Sequence, residues 1–242
     1  MDESGEVLLR GRRALHLRKV LKVEAGQRVR AGLLGGPLGA GWIVALEGEG
    51  VRLRFEAEGE APAPPELSLV LALPRPKVLS RVLQAAASFG LRRIDLVNAW
   101  KVEKSYFDSP RLAPARLRED LIAGCEQGAH TWLPELAVHR RFLGYLEGLP
   151  PPGGEARVFA QIGSARSLGA VLPAAGAVSL LVGPEGGLLA SEEESLHEAG
   201  FRGFALGTPV LAVPVAVAVA LGQVALLRGP GSVPEPGSRA IL

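Results

Sequence analysis

From residue 67 to residue 227 the chain alternates short, continuous apolar runs with segments of helical periodicity, and this alternation limits its fold more than any other feature. Residues 67–73 (LSLVLAL) read as a strand with no polar face. Residues 78–89 place Val78, Leu79, Val82, Leu83 and Ala86 on one side of a helix, and Gly90 follows as a natural stop. Residues 94–97 read as the next strand. Pro114 suits the first turn of a helix that runs to about residue 127 with Leu117, Leu121 and Ile122 inward. Residues 158–162 and 178–182 are again apolar throughout, as strands covered on both faces of a parallel sheet are. Ser191 and Glu194 have the spacing of a capping box, so a helix is expected from there to Gly200. A last strand at 204–206 and a last helix at 215–227 complete the series. Such alternation predicts an α/β fold, a parallel sheet with helices on both faces.

Ahead of this region lies AEGEAPAPPE at 57–66, a proline-rich connector too stiff and polar to join a core. Before the connector, residues 27–31 and 51–55 have strand character, the latter alternating Val-Arg-Leu-Arg-Phe, with a glycine-rich turn at 35–41. Short strands and glycine turns predict a small β-barrel or sandwich over residues 1–60, an α/β domain over 67–229 and a disordered tail over 230–242. Charge is divided unevenly. Residues 1–30 carry eight Lys and Arg against four acids, whereas 31–66 carry two against six. A basic N-terminal face suits phosphate contacts with a nucleic acid, and it equally suits a solvated surface.

Several classes lose their usual residues. One cysteine, Cys125, forbids an intrachain disulfide, and the opening MDESGEVLLRGRRALHL has no apolar run of signal-peptide length, so cytoplasmic residence is expected. Residues 203–227 are free of charge, but Gly207, Pro209, Pro214 and Gly222 interrupt them, so a strand, a turn and a buried helix are expected there rather than a membrane span. The chain has neither G-x-G-x-x-G nor a P-loop. Its histidines (His16, His130, His139, His197) show no metal-ligand spacing, so no metal is expected.

The segment LLVGPEGGLL at 180–189 sets three glycines, a proline and one carboxylate where a buried strand ends. Glycines at the carboxyl end of a parallel strand let the backbone approach a ligand, although such loops also merely turn corners. A second loop of this type, LGTPVL, follows at 206–211. This order of strand, GPEGG, helix, strand and LG-x-x-[IV]-L resembles the RsmE family, the 16S ribosomal RNA uridine N3-methyltransferases of the SPOUT superfamily. HLRKVLKV at 16–23, VEKS at 102–105 and the pair Glu126-Gln127 followed by Leu133-Pro134-Glu135 are similar to its other segments. The likeness covers roughly residues 8–228.

The resemblance implies a SPOUT-type trefoil-knotted parallel sheet preceded by a small PUA-like β-barrel. It implies S-adenosylmethionine held by Gly163, by Val182, Gly183, Pro184, Glu185, Gly186 and Gly187, and by Leu206, Gly207, Val210 and Leu211. RNA, 16S ribosomal RNA or the small ribosomal subunit, would meet Arg12, Arg13, His16, Arg18 and Lys19, and the chain would be a homodimer. Glu185 is the one carboxylate in the matched loop. It is the candidate to steer the substrate or accept a proton, or else to anchor the loop by accepting backbone hydrogen bonds. Tyr106, Glu126, Gln127 and His130 are further candidates. After LG the family reads P-R-[IV]-L-R-x-E-T-A, whereas Pro209, Ala212, Pro214 and Val215 stand here in place of both arginines, the glutamate and the threonine. The functions implied are N3-methylation of a 16S uridine, a methyltransferase retargeted to another RNA or a small molecule, or a non-catalytic RNA protein that binds the cofactor.

Overall fold

In this computed structural model residues 5–63 and 65–229 are described. They form two compact units, 5–63 with Cys125–Trp132, and 65–124 with 133–229. The tail expected at 230–242 lies outside the described residues.

The first unit contains β1 (Glu6–Leu9), α1 (Gly11–Leu15), a π-helical turn (His16–Val20), β2 (Arg28–Gly32), β3 (Leu38–Glu47) and β4 (Gly50–Ala57). The strands form one antiparallel sheet in the order β1-β4-β3-β2. The alternation in VRLRF works as read: Val51 and Leu53 join Ala14, Leu17, Val29 and Ile43 in the core of this unit, and Arg52 and Arg54 point away from it. The glycine stretch 35–41 is only partly a turn. Gly39 and Gly41 lie within β3, and a Cβ on Gly39 would stand 2.0 Å from the Glu56 carbonyl oxygen of β4. Glycine there permits close approach of two strands, and without side chains the strand has no period to read.

The second unit contains β5 (Leu67–Ala72), α2 (Pro76–Ala87), β6 (Arg93–Val97), α3 (Pro114–Gly128, whose last turn belongs to the first unit), β7 (Glu135–His139), α4 (Phe142–Glu147), β8 (Ala156–Ala160), α5 (Leu168–Val171), β9 (Val178–Val182), α6 (Ala190–Glu198), β10 (Phe201–Phe204) and α7 (Val213–Arg228). Its six strands form a parallel sheet in the order β10-β8-β9-β5-β6-β7. The chain builds β5, β6 and β7 outward, returns to lay β8 on the far side, and inserts β9 between β8 and β5. β9 is buried at every residue, as a central strand with both faces covered must be. On α2, Leu79, Val82, Leu83, Ala86 and Ala87 are buried at helical spacing, each leucine contributing about 1.5–3 kcal/mol. Val78 is half-buried.

Several boundaries differ from the sequence reading. β8 ends at Ala160 rather than at 162: the Gln161 N–H still bonds the Phe204 carbonyl, but Ile162 is 67% exposed, so the apolar run continues into a loop. β10 covers Phe201–Phe204 rather than 204–206: Gly200, with φ +85°, closes α6 as expected, and Phe201 enters the core directly after it. α6 starts at Ala190, and its cap is not the Ser191–Glu194 pair. Glu192 turns inward and its Oε2 accepts the Leu189 N–H at 2.9 Å, whereas Ser191 and Glu194 are exposed. α7 starts at Val213 with Pro214 in its first turn, and ends before Gly229 at φ +76°. The uncharged stretch 203–227 is therefore the end of a strand, a loop and a helix. Among the described residues no helix is long and apolar enough to cross a membrane.

Candidate functional site

The loops that leave β8, β9 and β10 at their carboxyl ends meet around one cavity of about 210 Å³. From β9 come Val182 and the run Gly183, Pro184, Glu185, Gly186 and Gly187. From the segment after β10 come Leu206, Gly207, Val210 and Leu211, and from the loop after β8 comes Gly163. The positions that the resemblance assigned to the cofactor thus line one cavity, together with Val213 and Ala216 of the first turn of α7. β8 and β9 are neighbours and β10 lies beside β8, so their carboxyl ends open on one side of the sheet, where ligands of open α/β sheets sit.

The glycines have separate reasons to be there. Gly187 has φ +70° and its N–H closes a turn on the Pro184 carbonyl at 2.9 Å, a conformation that a Cβ would strain. Gly186 is held from the loop after β6: Lys101 Nζ donates to the Gly186 carbonyl at 2.7 Å, and a Cβ on Gly186 would lie 3.0 Å from Lys101 Cδ. Lys101 escaped the sequence reading because it lies far away along the chain.

Two carboxylates face the cavity. Glu185 is exposed, and its Oε1 accepts the Arg75 N–H at 3.4 Å, a long bond that ties the loop to the segment before α2. Glu193 was not foreseen. Its Oε2 accepts from Gln161 Nε2 at 2.8 Å, joining α6 to the loop after β8. A helix placed to begin at Ser191 hid it, since one residue of phase decides which glutamate turns inward. Its neighbour Glu192 is 8% exposed, with Oε1 accepting the Trp100 N–H at 2.8 Å and Oε2 the Leu189 N–H. The α7 side of the cavity is apolar. Ala212 caps the helix without a side-chain hydrogen bond, Pro209 lines the wall, and Val210 is 71% exposed.

The five N-terminal residues read as RNA contacts lie in the first unit. Arg12 and Arg13 both pair with Glu126, Arg13 Nε at 2.9 Å, and Arg18 Nη1 donates to the Gly50 carbonyl at 3.2 Å. His16 is half-buried and Lys19 is exposed. Part of the basic face is therefore engaged within the unit. Tyr106, Glu126, Gln127 and His130 do not line the cavity.

The model of the RNA methyltransferase domain family matches residues 61–225. The ribosomal RNA small subunit methyltransferase E of Treponema pallidum is 31% identical over 246 residues, spanning 96% of this chain and 90% of that protein. The chain belongs to this methyltransferase family. Among solved structures, the ribosomal RNA small subunit methyltransferase E of Neisseria gonorrhoeae, bound to S-adenosylmethionine, has a TM-score of 0.76 at 22% identity and covers 93% of this chain and 92% of its own. A Legionella pneumophila protein in complex with bound S-adenosylmethionine has a TM-score of 0.75 at 19% identity, with 93% of both chains covered. At these identities the structural likeness is one of fold. At the positions where the sequence resemblance led to arginines, a glutamate and a threonine being expected, this chain carries Pro209, Ala212, Pro214 and Val215.

Proposed function

We propose that the chain is an S-adenosylmethionine-dependent RNA methyltransferase that methylates N3 of a uridine in 16S ribosomal RNA. The observation that carries this reading is the single cavity formed by three loops at the carboxyl ends of β8, β9 and β10. Its walls fit the cofactor. They combine glycine backbone at Gly163, Gly183, Gly186 and Gly187 with aliphatic side chains and the carboxylates of Glu185 and Glu193, a set suited to an amphiphilic, positively charged nucleoside. When bound, that cofactor supplies a methyl group already activated by its sulfonium. The chain itself then has to position the acceptor and exclude water. Glu185 is exposed and weakly tied, so it is the group available to orient a uridine N–H or take its proton, while Glu193 is occupied with Gln161.

The reading includes a PUA-like barrel in the N-terminal domain, 1–60, that meets RNA through Arg12, Arg13, His16, Arg18 and Lys19. It includes a methyltransferase domain, 67–229, with a trefoil knot formed where α7 closes over the three loops, and residence in the cytoplasm. It includes a homodimer, supported by apolar residues that α7 leaves uncovered, Leu226 at 81% exposure among them. A second reading is favoured by one observation. Pro209 and Ala212 leave the α7 side of the cavity without a cation, so the same cofactor site would serve a different acceptor.

Calorimetry with S-adenosylhomocysteine tests the site, and nucleoside analysis of 16S ribosomal RNA after incubation with the protein and cofactor tests the acceptor. The parent and Ala212→Arg should bind within about threefold of each other, because a backbone pocket tolerates a changed neighbouring side chain. Gly187→Val should bind about five- to thirtyfold more weakly, the equivalent of about 1–2 kcal/mol of left-handed strain. Gly186→Val is the less decisive change, since its bulk meets the flexible Lys101 side chain. No binding by the parent removes the methyltransferase reading. Binding with methyl groups elsewhere than uridine N3 selects the retargeted enzyme.

A further inference from the structure

The loop after β6 carries Trp100, the one tryptophan of the second unit among the described residues, and its side chain is 79% exposed. Tryptophan has much to gain from burial, so an indole left in water calls for a ligand. Its backbone is fixed. The Trp100 N–H is bonded to the buried Glu192 carboxylate at 2.8 Å, and the next residue, Lys101, is bonded to the Gly186 carbonyl. The indole is thus a platform on a pinned loop, beside the lysine that bonds Gly186 in the wall of the cofactor cavity.

Around it lies a second cavity of about 410 Å³, lined by Trp100, Lys104, Arg140 and Arg141 as well as by Leu143 and Glu192. Lys104 and Arg141 are exposed, and neither has an acid within ion-pair distance among the described residues. Arg140 is partly committed, bonding the Phe107 carbonyl at 3.1 Å and pairing with Asp108 at 3.5 Å. The one carboxylate in the lining, Glu192, has both oxygens occupied by backbone N–H groups. An exposed aromatic face beside unpaired cations is the combination that receives a base and its flanking phosphates.

We infer that this cavity binds a single-stranded stretch of RNA, one base stacking on Trp100 and the adjoining phosphates meeting Lys104 and Arg141. This deepens the RNA methyltransferase reading by assigning the strand beside the target nucleotide a track outside the cofactor cavity. It also supplies cations that the α7 side of the cofactor cavity lacks.

The test is anisotropy of a labelled short oligouridylate titrated with the full chain at several salt concentrations, without cofactor. Trp100→Ala should lower affinity about tenfold, the loss of one base stack, and Trp100→Phe should restore it to within about threefold. Lys104→Gln and Arg141→Gln should each reduce the salt slope by about 0.7, the value of one single-strand phosphate contact. Circular dichroism and S-adenosylhomocysteine calorimetry on the same preparations separate this inference from the cofactor reading. Trp100-dependent RNA binding without cofactor binding leaves the inference standing while the cofactor reading falls. Cofactor binding with equal RNA affinity in the parent and Trp100→Ala overturns the inference alone, as does failure of the parent to bind the oligonucleotide, and the patch would then face another kind of partner.

Discussion

Glu192 lines the second cavity and ties the Trp100 loop to the start of α6, and its removal should be costly. Its carboxylate is 8% exposed and accepts two backbone N–H groups, from Leu189 at 2.9 Å and from Trp100 at 2.8 Å. A hydrogen bond to a charged group contributes about 1.5–3 kcal/mol, so Glu192→Ala, which leaves both donors without a protein partner, should destabilise by about 3 kcal/mol at the low end of that range. For a chain of this size each kcal/mol shifts the melting temperature by about 2–4 °C, which gives a fall of roughly 6–12 °C. Glu192→Gln separates the two bonds. The amide oxygen serves one donor while the amide nitrogen faces the other, so at least half of the loss should remain. Thermal denaturation followed by far-ultraviolet circular dichroism reads both variants. A melting temperature for Glu192→Ala within about 1 °C of the parent would refute the reasoning, because water would then satisfy the two N–H groups as well as the carboxylate does.

Two further outcomes follow from the first unit. Gly39→Ala places a Cβ 2.0 Å from the Glu56 carbonyl oxygen, whereas Gly48→Ala meets nothing within 4 Å and carries only the strain of φ +55°. Urea denaturation should therefore show Gly39→Ala losing more stability than Gly48→Ala, by at least about 1 kcal/mol, and the reverse order would sink the argument. Burial pushes the Cys125 thiol up from 9.0 to about 12. Between those pH values the unfolded chain gives up a proton that the native chain keeps, so stability should fall as pH rises through this window. Cys125→Ala should fall less steeply there, and identical profiles would show that the thiol ionises alike in both states.

The sheet and the candidate site were legible to different degrees for identifiable reasons. Strands buried on both faces, such as Val178–Val182, announce themselves as unbroken apolar runs, and β9 has the limits read from sequence. β3 did not, since Gly39 and Gly41 give it no side-chain period. Apolar residues placed in loops misled in the opposite direction. Ile162 and Leu206 extended the apparent ends of β8 and β10 because hydrophobicity alone cannot tell a core from a cavity wall. The glycine loops were found because their chemistry is local. Lys101, Glu193 and Trp100 were missed because each gains its meaning from a partner distant in sequence, namely Gly186, Gln161 and Glu192.

On the proposed reading, this division also explains which half of the site tolerates substitution. A cofactor held by backbone groups requires that the strands end where they do and that no Cβ intrude at Gly187, and both conditions survive almost any change of neighbouring side chain. An acceptor held by arginines and a glutamate depends on those side chains alone, and Pro209, Ala212 and Pro214 cannot replace them. Attraction of a polyanion is less exacting about position than catalytic contact is, because charge acts over about a Debye length, roughly 8–10 Å at moderate salt. Cations lost from the α7 side of the cavity can therefore be offset by Lys104 and Arg141 on the loops after β6 and β7, with Trp100 supplying the register that charge by itself does not. Glu192 holds the Trp100 backbone to the start of α6, and the next residue, Lys101, bonds the Gly186 carbonyl in the wall of the cofactor cavity, so this loop is where the two halves would stay aligned.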